Sequence, residues 1–268
     1  MSFQIRTNIG ALQAYNALSK VNEDTFKAQL RLATQKRINS VADDTSGYNV
    51  GKSLEGRVSV MKAAQGNVSS AKDMLATAET SLQNINDLLN QIKAKVVDAN
   101  DPTKDKSSLA NDVVALGNEI SNIMNTTEFN GTGLLSGTSF SGGFSFQTGH
   151  DSTDKLTLGF TTKLGSLDLS SITGATSSTV ASLSVSTVET SVKNALGSLG
   201  NDLQRLDVKD SYLTSAITNA SSSISRLFDA DMAMEQLNAT KGTISGQAAT
   251  AMFSQLNMAP QNVLSLFG

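Results

Sequence analysis

The chain has 268 residues, a formal net charge of −3, two prolines, 5% aromatic residues, and neither cysteine nor tryptophan. That balance, with no basic patch, argues against nucleic acid as a partner, and the missing cysteine excludes disulfides, thiolate metal sites and cysteine nucleophiles. No apolar run is long enough for a membrane helix. Met1-Ser-Phe-Gln-Ile-Arg-Thr-Asn8 lacks the basic region, apolar core and cleavage site of a secretory signal, so any export is expected to use another route.

Residues 4–38 predict a helix. Ala11, Ala14, Leu18, Val21, Thr25, Ala28 and Leu32 keep heptad spacing, while Ile5, Ile9, Leu12, Phe26 and Leu30 broaden the apolar surface. A helix apolar over much of its circumference is buried on several sides. Burial within one bundle and burial between subunits both satisfy that. Residues 39–47, Asn-Ser-Val-Ala-Asp-Asp-Thr-Ser-Gly, predict a connector. Asp43 and Asp44 read as a turn and a helix N-cap rather than a metal or acid–base pair, because no histidine or further carboxylate clusters beside them.

The stretch that organises the chain is Met61 to Val96. Met61, Ala64, Val68, Ala71, Leu75, Ala78, Leu82, Ile85, Leu89, Ile92 and Val96 succeed one another at spacings of three and four, which sets them on one helical seam. At 1.5 Å per residue that seam is roughly 54 Å long, and such a helix needs other long helices beside it. The turn 98–105, with Pro102, ends it. Leu109, Val113, Leu116, Ile120 and Ile123 form a second seam, which fades before the turn dipeptide Asn130-Gly131. Val192, Leu196, Leu199, Leu203, Leu206, Leu213, Ile217, Ala220, Ile224 and Leu227 form a third, broken at Asp210. Three stripes close one core, with Val68, Leu75, Leu82, Ile85, Leu89, Ile92, Leu116, Ile120, Leu203, Leu206, Leu213 and Ile217 as its predicted filling. Each Leu-sized burial contributes about 1.5–3 kcal/mol.

Residues 132–187 are rich in Ser, Thr and Gly, and alternation replaces the helical period. Phe140, Phe144, Phe146 and Lys155–Leu164 predict short strands or hairpins in an insert too small and polar for a sizeable core. His150, the sole histidine, reads as a surface loop residue. A last helix carries Leu237, Ile244, Ala248, Ala251 and Met258 at heptad spacing, widened by Met252, Phe253 and Leu256. The expected fold is mainly α: a long antiparallel helical-bundle or coiled-coil rod with paired termini. A small β-hairpin-containing insert is expected at the far tip.

Two stretches carry a resemblance. Arg31-Leu-Ala-Thr-Gln-Lys-Arg-Ile-Asn-Ser-Val-Ala-Asp-Asp-Thr-Ser-Gly47 is similar to the Arg-Leu-(Ser-Ser-Gly)-x-Arg-Ile-Asn-Ser-Ala-x-Asp-Asp-Ala-(Ala/Ser)-Gly signature of bacterial flagellin. Ser225-Arg-Leu-Phe-Asp-Ala-Asp231 and the tail Pro260-Gln-Asn-Val-Leu-Ser-Leu-Phe-Gly268 resemble the other end of that family, and Glu128-Phe-Asn-Gly131 its internal turn. The match spans residues 3–135 and 190–268. Thr34-Gln35 stands where Ser-Gly is usual, and the central region is short.

The resemblance implies a self-assembling subunit of the flagellar filament, extracellular, without cofactor, metal site or catalytic residue. It implies inner-tube helices at 1–44 and 229–268, a rod at 45–135 and 188–228, and a reduced insert at 136–187. Polymerisation would then fall on Ile5, Ile9, Leu12, Leu18, Val21, Leu32, Leu237, Ile244, Met252, Phe253, Leu256, Val263, Leu264 and Leu266, and the connector on Arg37, Asn39, Asp43 and Asp44. Implied partners are other copies of the chain, an export chaperone at the C-terminal tail, the filament cap and the hook–filament junction proteins, with no nucleic acid and no membrane. The tail chaperone goes with secretion as an unfolded chain through the flagellar type III channel. The positions equivalent to the family's Toll-like receptor 5 contacts are Asn90, Ala94 and Asp112; losing the arginine at the first predicts weak recognition. O-linked sugars on the Ser/Thr-rich insert are a further implication, beside the plainer reading of a polar surface.

A hook–filament junction protein shares the architecture and is the alternative, separable by copy number. An enzyme would need a constellation that one histidine, no cysteine and no phosphate-binding glycine loop do not supply. A secreted translocator or adhesin would need a membrane-inserting segment or a receptor-binding module.

Overall fold

The computed structural model describes residues 9–135, 143–159 and 167–264. Helix α1 runs Ile9–Thr34, α2 Thr45–Asp98 and α3 Lys106–Thr126. Strands β1 (Glu128–Phe129) and β2 (Thr132–Gly133) follow, then β3 (Phe144–Gln147) and β4 (Lys155–Leu158). A single turn α4 (Ser170–Thr173), a 3₁₀ turn at Val180–Ser182, α5 (Ser186–Phe228) and α6 (Met232–Leu264) complete the order. The fold is mainly α, with two small antiparallel sheets among the described residues. Two compact units result: Met1–Gly56 with Asn219–Gly268, and Arg57–Thr218.

Local chemistry sets the ends of the elements. Asp44 accepts the Gly47 N–H at 2.9 Å and so caps α2. Asp105 caps α3 by accepting the Ser107 N–H. Asn130 and Gly131 both take positive φ, 52° and 74°, the geometry of the tight turn that matches the twist of paired strands β1 and β2. Two boundaries differ from the sequence reading. Helix α1 stops at Thr34 rather than residue 38, and α2 starts at Thr45, inside the expected connector. The first shift comes from tertiary bonds of residues 35–37, described below, and the second from the local cap at Asp44.

Within Arg57–Thr218, every seam position of α2 from Met61 to Ile92 is buried. Val96 is half-buried, and Ala99 closes that end instead. From α3, Val113 and Ile120 are fully buried and Leu116 half-buried. On α5 the most buried line is Val188, Val192, Ala195, Leu199, Asp202, Leu206 and Leu213. Leu196, Leu203 and Ile217 are half-buried. The seam therefore lies one position N-terminal of the Leu196–Leu203 reading, because Asp202 occupies a core position. Its carboxylate accepts the Gly159 N–H at 3.2 Å and Arg205 Nη1 at 2.9 Å. The break at Asp210 is also satisfied: Gln65 Nε2 and Lys72 Nζ each donate to it at 3.0 Å, and Lys72 also meets Asp207 at 2.9 Å. Gln65 first, and Lys72 with it, hold the Asp210 carboxyl below its ordinary range.

Strands β3 and β4 of the insert lie beside the helices rather than beyond them. Strands β3 and β4 pair with Phe144 opposite Leu158 and Gln147 opposite Lys155. Their hairpin lies along α2 and α5: Asn67 Nδ2 donates to the Gln147 carbonyl at 3.2 Å, and Gly159 meets Asp202 as above. The expected strands at Phe140 and at 160–164 lie outside the described residues. Beyond them, α4 was not expected at all. Its Ile172 seats on α3, where a Cβ on Gly117 would come 2.7 Å from Ile172 Cγ2. Asn100 Nδ2 reaches the Ala181 carbonyl at 3.3 Å. The insert thus has little core of its own; Leu156, Leu158, Ile172 and Val180 are buried in the core of the helices.

Glu189 on α5 accepts from Lys193 at 2.6 Å and from Lys93 of α2. These ammonium groups, Lys193 first, push its carboxyl down from an ordinary 4.5 to about 2. A carboxyl depressed by folding contributes stability above its ordinary value and loses it as pH falls toward the folded one. Between pH 4.5 and 2 the urea midpoint, followed by circular dichroism, is expected to fall less steeply in Glu189→Gln than in the unsubstituted chain.

Candidate self-association surface

The two chain ends meet in the α1–α6 pair. Arg31 faces Glu235, Thr25 faces Gly242 and Asn22 faces Gly246, so the helices run antiparallel. The facing residues are small. Ala28 and Ala239 are buried, and a Cβ on Gly242 would lie 2.2 Å from Thr25 Oγ1. Glycine there lets the backbones approach closely.

The pair leaves large apolar side chains outside, among polar ones. Ile9, Leu12, Tyr15, Phe26 and Leu30 of α1 are exposed, as are Met232, Met234, Leu237, Ile244, Met252 and Met258 of α6. Phe26 is 66% exposed, Met252 63% and Ile244 62%. Scattered apolar residues are ordinary on a surface, but a cluster of this size on one helix pair marks an interaction face. Of the residues named for polymerisation, Ile9, Leu12, Leu237, Ile244 and Met252 are on this outer surface. Leu18, Val21, Leu32, Phe253 and Leu256 are half-buried. Ile5 and Leu266, and the side chains of Val263 and Leu264, lie outside the described residues.

The connector is held by the returning chain. Arg37 N–H donates to the Phe228 carbonyl at 2.6 Å, Arg37 Nη2 to the Leu227 carbonyl at 3.0 Å, and Ala230 N–H to the Gln35 carbonyl at 3.0 Å. Lys36 and Asp229 form an antiparallel bridge. The Phe228 ring meets Tyr48 edge-on, 6.2 Å between centroids, and lies so close to α2 that a Cβ on Gly51 would fall 2.0 Å from it. Asp43 accepts the Ser40 and Asn39 N–H groups at 2.9 and 3.1 Å; these bonds, Ser40 first, hold its carboxyl below the ordinary range. Asn39 Nδ2 donates to the Lys36 carbonyl at 3.0 Å. Asp43 and Asp44 are thus occupied as turn and cap.

The helix α1 ends with Gln35 at φ 59°, a left-handed conformation that suits glycine. Asn90 and Ala94 are exposed on α2, while Asp112 of α3 is taken up by Lys95 at 2.7 Å. Sequence reasoning missed three working residues here: Glu235, Phe228 and Gly51. Elsewhere it missed a cluster of His150, Asp151 and Asp154, whose ligand atoms lie within 4.8 Å of one another. Arg57 Nη2 stands 3.3 Å from His150 Nε2, competing there with any cation. Among the described residues no helix is long and apolar enough to cross a membrane.

Residues 5–139 match the family model of the bacterial flagellin N-terminal helical region, and residues 184–267 that of the C-terminal helical region. The chain belongs to the bacterial flagellin family. It is 30% identical over 302 residues to the flagellin of Bacillus subtilis (strain 168), covering 98% of this chain and 99% of that protein. Identity to the flagellin of Listeria monocytogenes is 28% over 285 residues, again 98% and 99% covered. Flagellin B of Helicobacter pylori aligns at 33% identity over 182 residues, 65% of this chain and 35% of that protein. This flagellin is accordingly a structural subunit of the extracellular flagellar filament.

The left-handed Gln35 costs this flagellin about 1 kcal/mol relative to glycine. Gln35→Gly is therefore expected to raise the thermal midpoint of filament dissociation, measured by light scattering; a lowered midpoint would contradict that reading of the α1 terminus.

Proposed function

We propose that the α1–α6 pair is the polymerising element of this flagellin, with residues 1–44 and 229–268 forming the inner tube of the filament. Residues 45–135 and 188–228 form the layer around it, and 136–187 replace larger outer domains. The observation that carries this reading is the outer apolar face of the pair, which a lone chain leaves in water. Burial against neighbouring copies at roughly 25 cal/mol per Å² of apolar area offsets the cost of ordering the ends, about 1–2 kcal/mol per residue. The chain leaves the cell unfolded through the flagellar type III channel, its tail held beforehand by an export chaperone, and it meets the cap and hook–filament junction proteins at the filament ends. The lack of cysteine fits transport as an extended thread. No step of catalysis and no cofactor belongs to this role.

Removing Met258–Gly268 is expected to abolish filaments in electron micrographs while the Arg57–Thr218 unit stays helical. Filaments of ordinary appearance from the truncated chain would overturn the assignment.

Recognition by Toll-like receptor 5 is proposed to be weak. Asn90 offers no planar multi-donor fork, Ala94 a short side chain, and Asp112 is already paired with Lys95. In reporter cells, signalling is expected only well above nanomolar protein; a full response at nanomolar protein would refute it.

A further inference from the structure

Glu235 is a buried acid at the connector end of the helix pair, in the first turn of α6, 8% exposed, with Arg31 Nη1 of the last turn of α1 3.2 Å from its Oε1. Around it the facing surfaces discriminate poorly between alignments. Ala11, Ala14 and Ala28 on α1, and Ala239, Gly242 and Gly246 on α6, recur at helical spacing. A slip of one turn, about 5.4 Å, would set Gly242 near Val21 and Gly246 near Leu18 in place of Thr25 and Asn22, and a glycine has room for either. Beyond the Lys36–Asp229 bridge and the Ala230–Gln35 bond at the connector, two features resist that slip. It would carry Glu235 away from Arg31 and leave a buried charge uncompensated. It would also move Gly242 off Thr25, at a place where even a Cβ would come 2.2 Å from the Thr25 hydroxyl.

We propose that the Arg31–Glu235 pair, with the Gly242 notch, is the register key of the polymerising helices. It decides which outer residues of α1 and α6 align to meet the next copy. A polar pair at one position of an otherwise forgiving seam acts in this way in helical assemblies, at some cost in stability. Arg31 and Glu235 are positioning residues: they select one alignment. This rests on the reading of the pair as the polymerising element.

The natural absence of cysteine makes register directly measurable in the full chain. Asn22→Cys with Gly246→Cys reports the observed alignment, and Leu18→Cys with Gly246→Cys reports a slip of one turn. In the otherwise unsubstituted chain only the first pair is expected to close an intrachain cross-link. With Glu235→Ala, or the size-preserving Glu235→Gln, both pairs should close to similar extents, and sedimentable polymer should fall about tenfold or more. The double reversal Arg31→Glu with Glu235→Arg is expected to restore both the preference and the polymer, whereas neither single reversal does. Persistence of the 22–246 preference in both Glu235 variants, or failure of the double reversal to recover it, would overturn the proposal. Cross-linking within one chain is read on a denaturing gel from dispersed and sedimented protein separately. If the unsubstituted chain formed no polymer, the polymerisation reading would fail while the register result stood.

Discussion

The constraint on which this molecule depends is that its two end helices carry more apolar surface than they can hide from water against each other. In α1 and α6 the helices approach closely where the small residues Ala28, Ala239 and Gly242 face inward. Large side chains such as Phe26, Leu237, Ile244 and Met252 are left outside. A helix pair of this kind gains little by folding alone, since burial of large apolar groups is what offsets chain ordering. In the proposed filament, copies of the same surface supply the missing cover.

The Arg57–Thr218 unit solves the opposite problem. Its α2 seam is buried from Met61 to Ile92, and its polar intrusions are satisfied rather than left open: Asp202 by Gly159 and Arg205, Asp210 by Gln65 and Lys72. The insert extends this core by laying Leu156, Leu158, Ile172 and Val180 into it. Such a unit can be stable as one chain. Residues 35–37 and 227–230 are joined by a bridge in the terminal unit, where Phe228 fits against Gly51 and Tyr48. The left-handed Gln35 shows that tertiary bonds, from Ala230 to its carbonyl and from Arg37 to the facing strand, outweigh a local backbone cost.

Much of this architecture is legible in the amino-acid sequence. The unbroken spacing from Met61 to Ile92 identifies the organising helix because a buried stripe leaves no room for exceptions, and Asn130-Gly131 announces a turn whose positive φ values few other residues allow. What periodicity does not show is pairing between distant polar groups. Asp210 looks like a defect in the seam, and Asp202 like a surface residue beside Leu203, because nothing local reveals that Lys72 or Gly159 stands opposite. The end of α1 at Thr34 is hidden for the same reason. Helix propensity continues through Lys36 and Arg37, but their backbones are claimed by residues 190 or more positions away. The turn α4 escapes notice because a four-residue element held by one isoleucine has no period to detect. In the end helices the breadth of the apolar face is legible, whereas the division into a small inner face and a large outer one needs the partner helix.

The decisive comparison is hydrogen exchange of the full chain in dilute solution and in assembled filaments. Amides of Ile9–Thr34 and Met232–Leu264 are expected to exchange rapidly in the dilute chain and to become strongly protected in filaments, while those of the α2 seam from Met61 to Ile92 are protected in both. Strong and equal protection of the two end helices in the dilute chain would contradict their dependence on neighbouring copies.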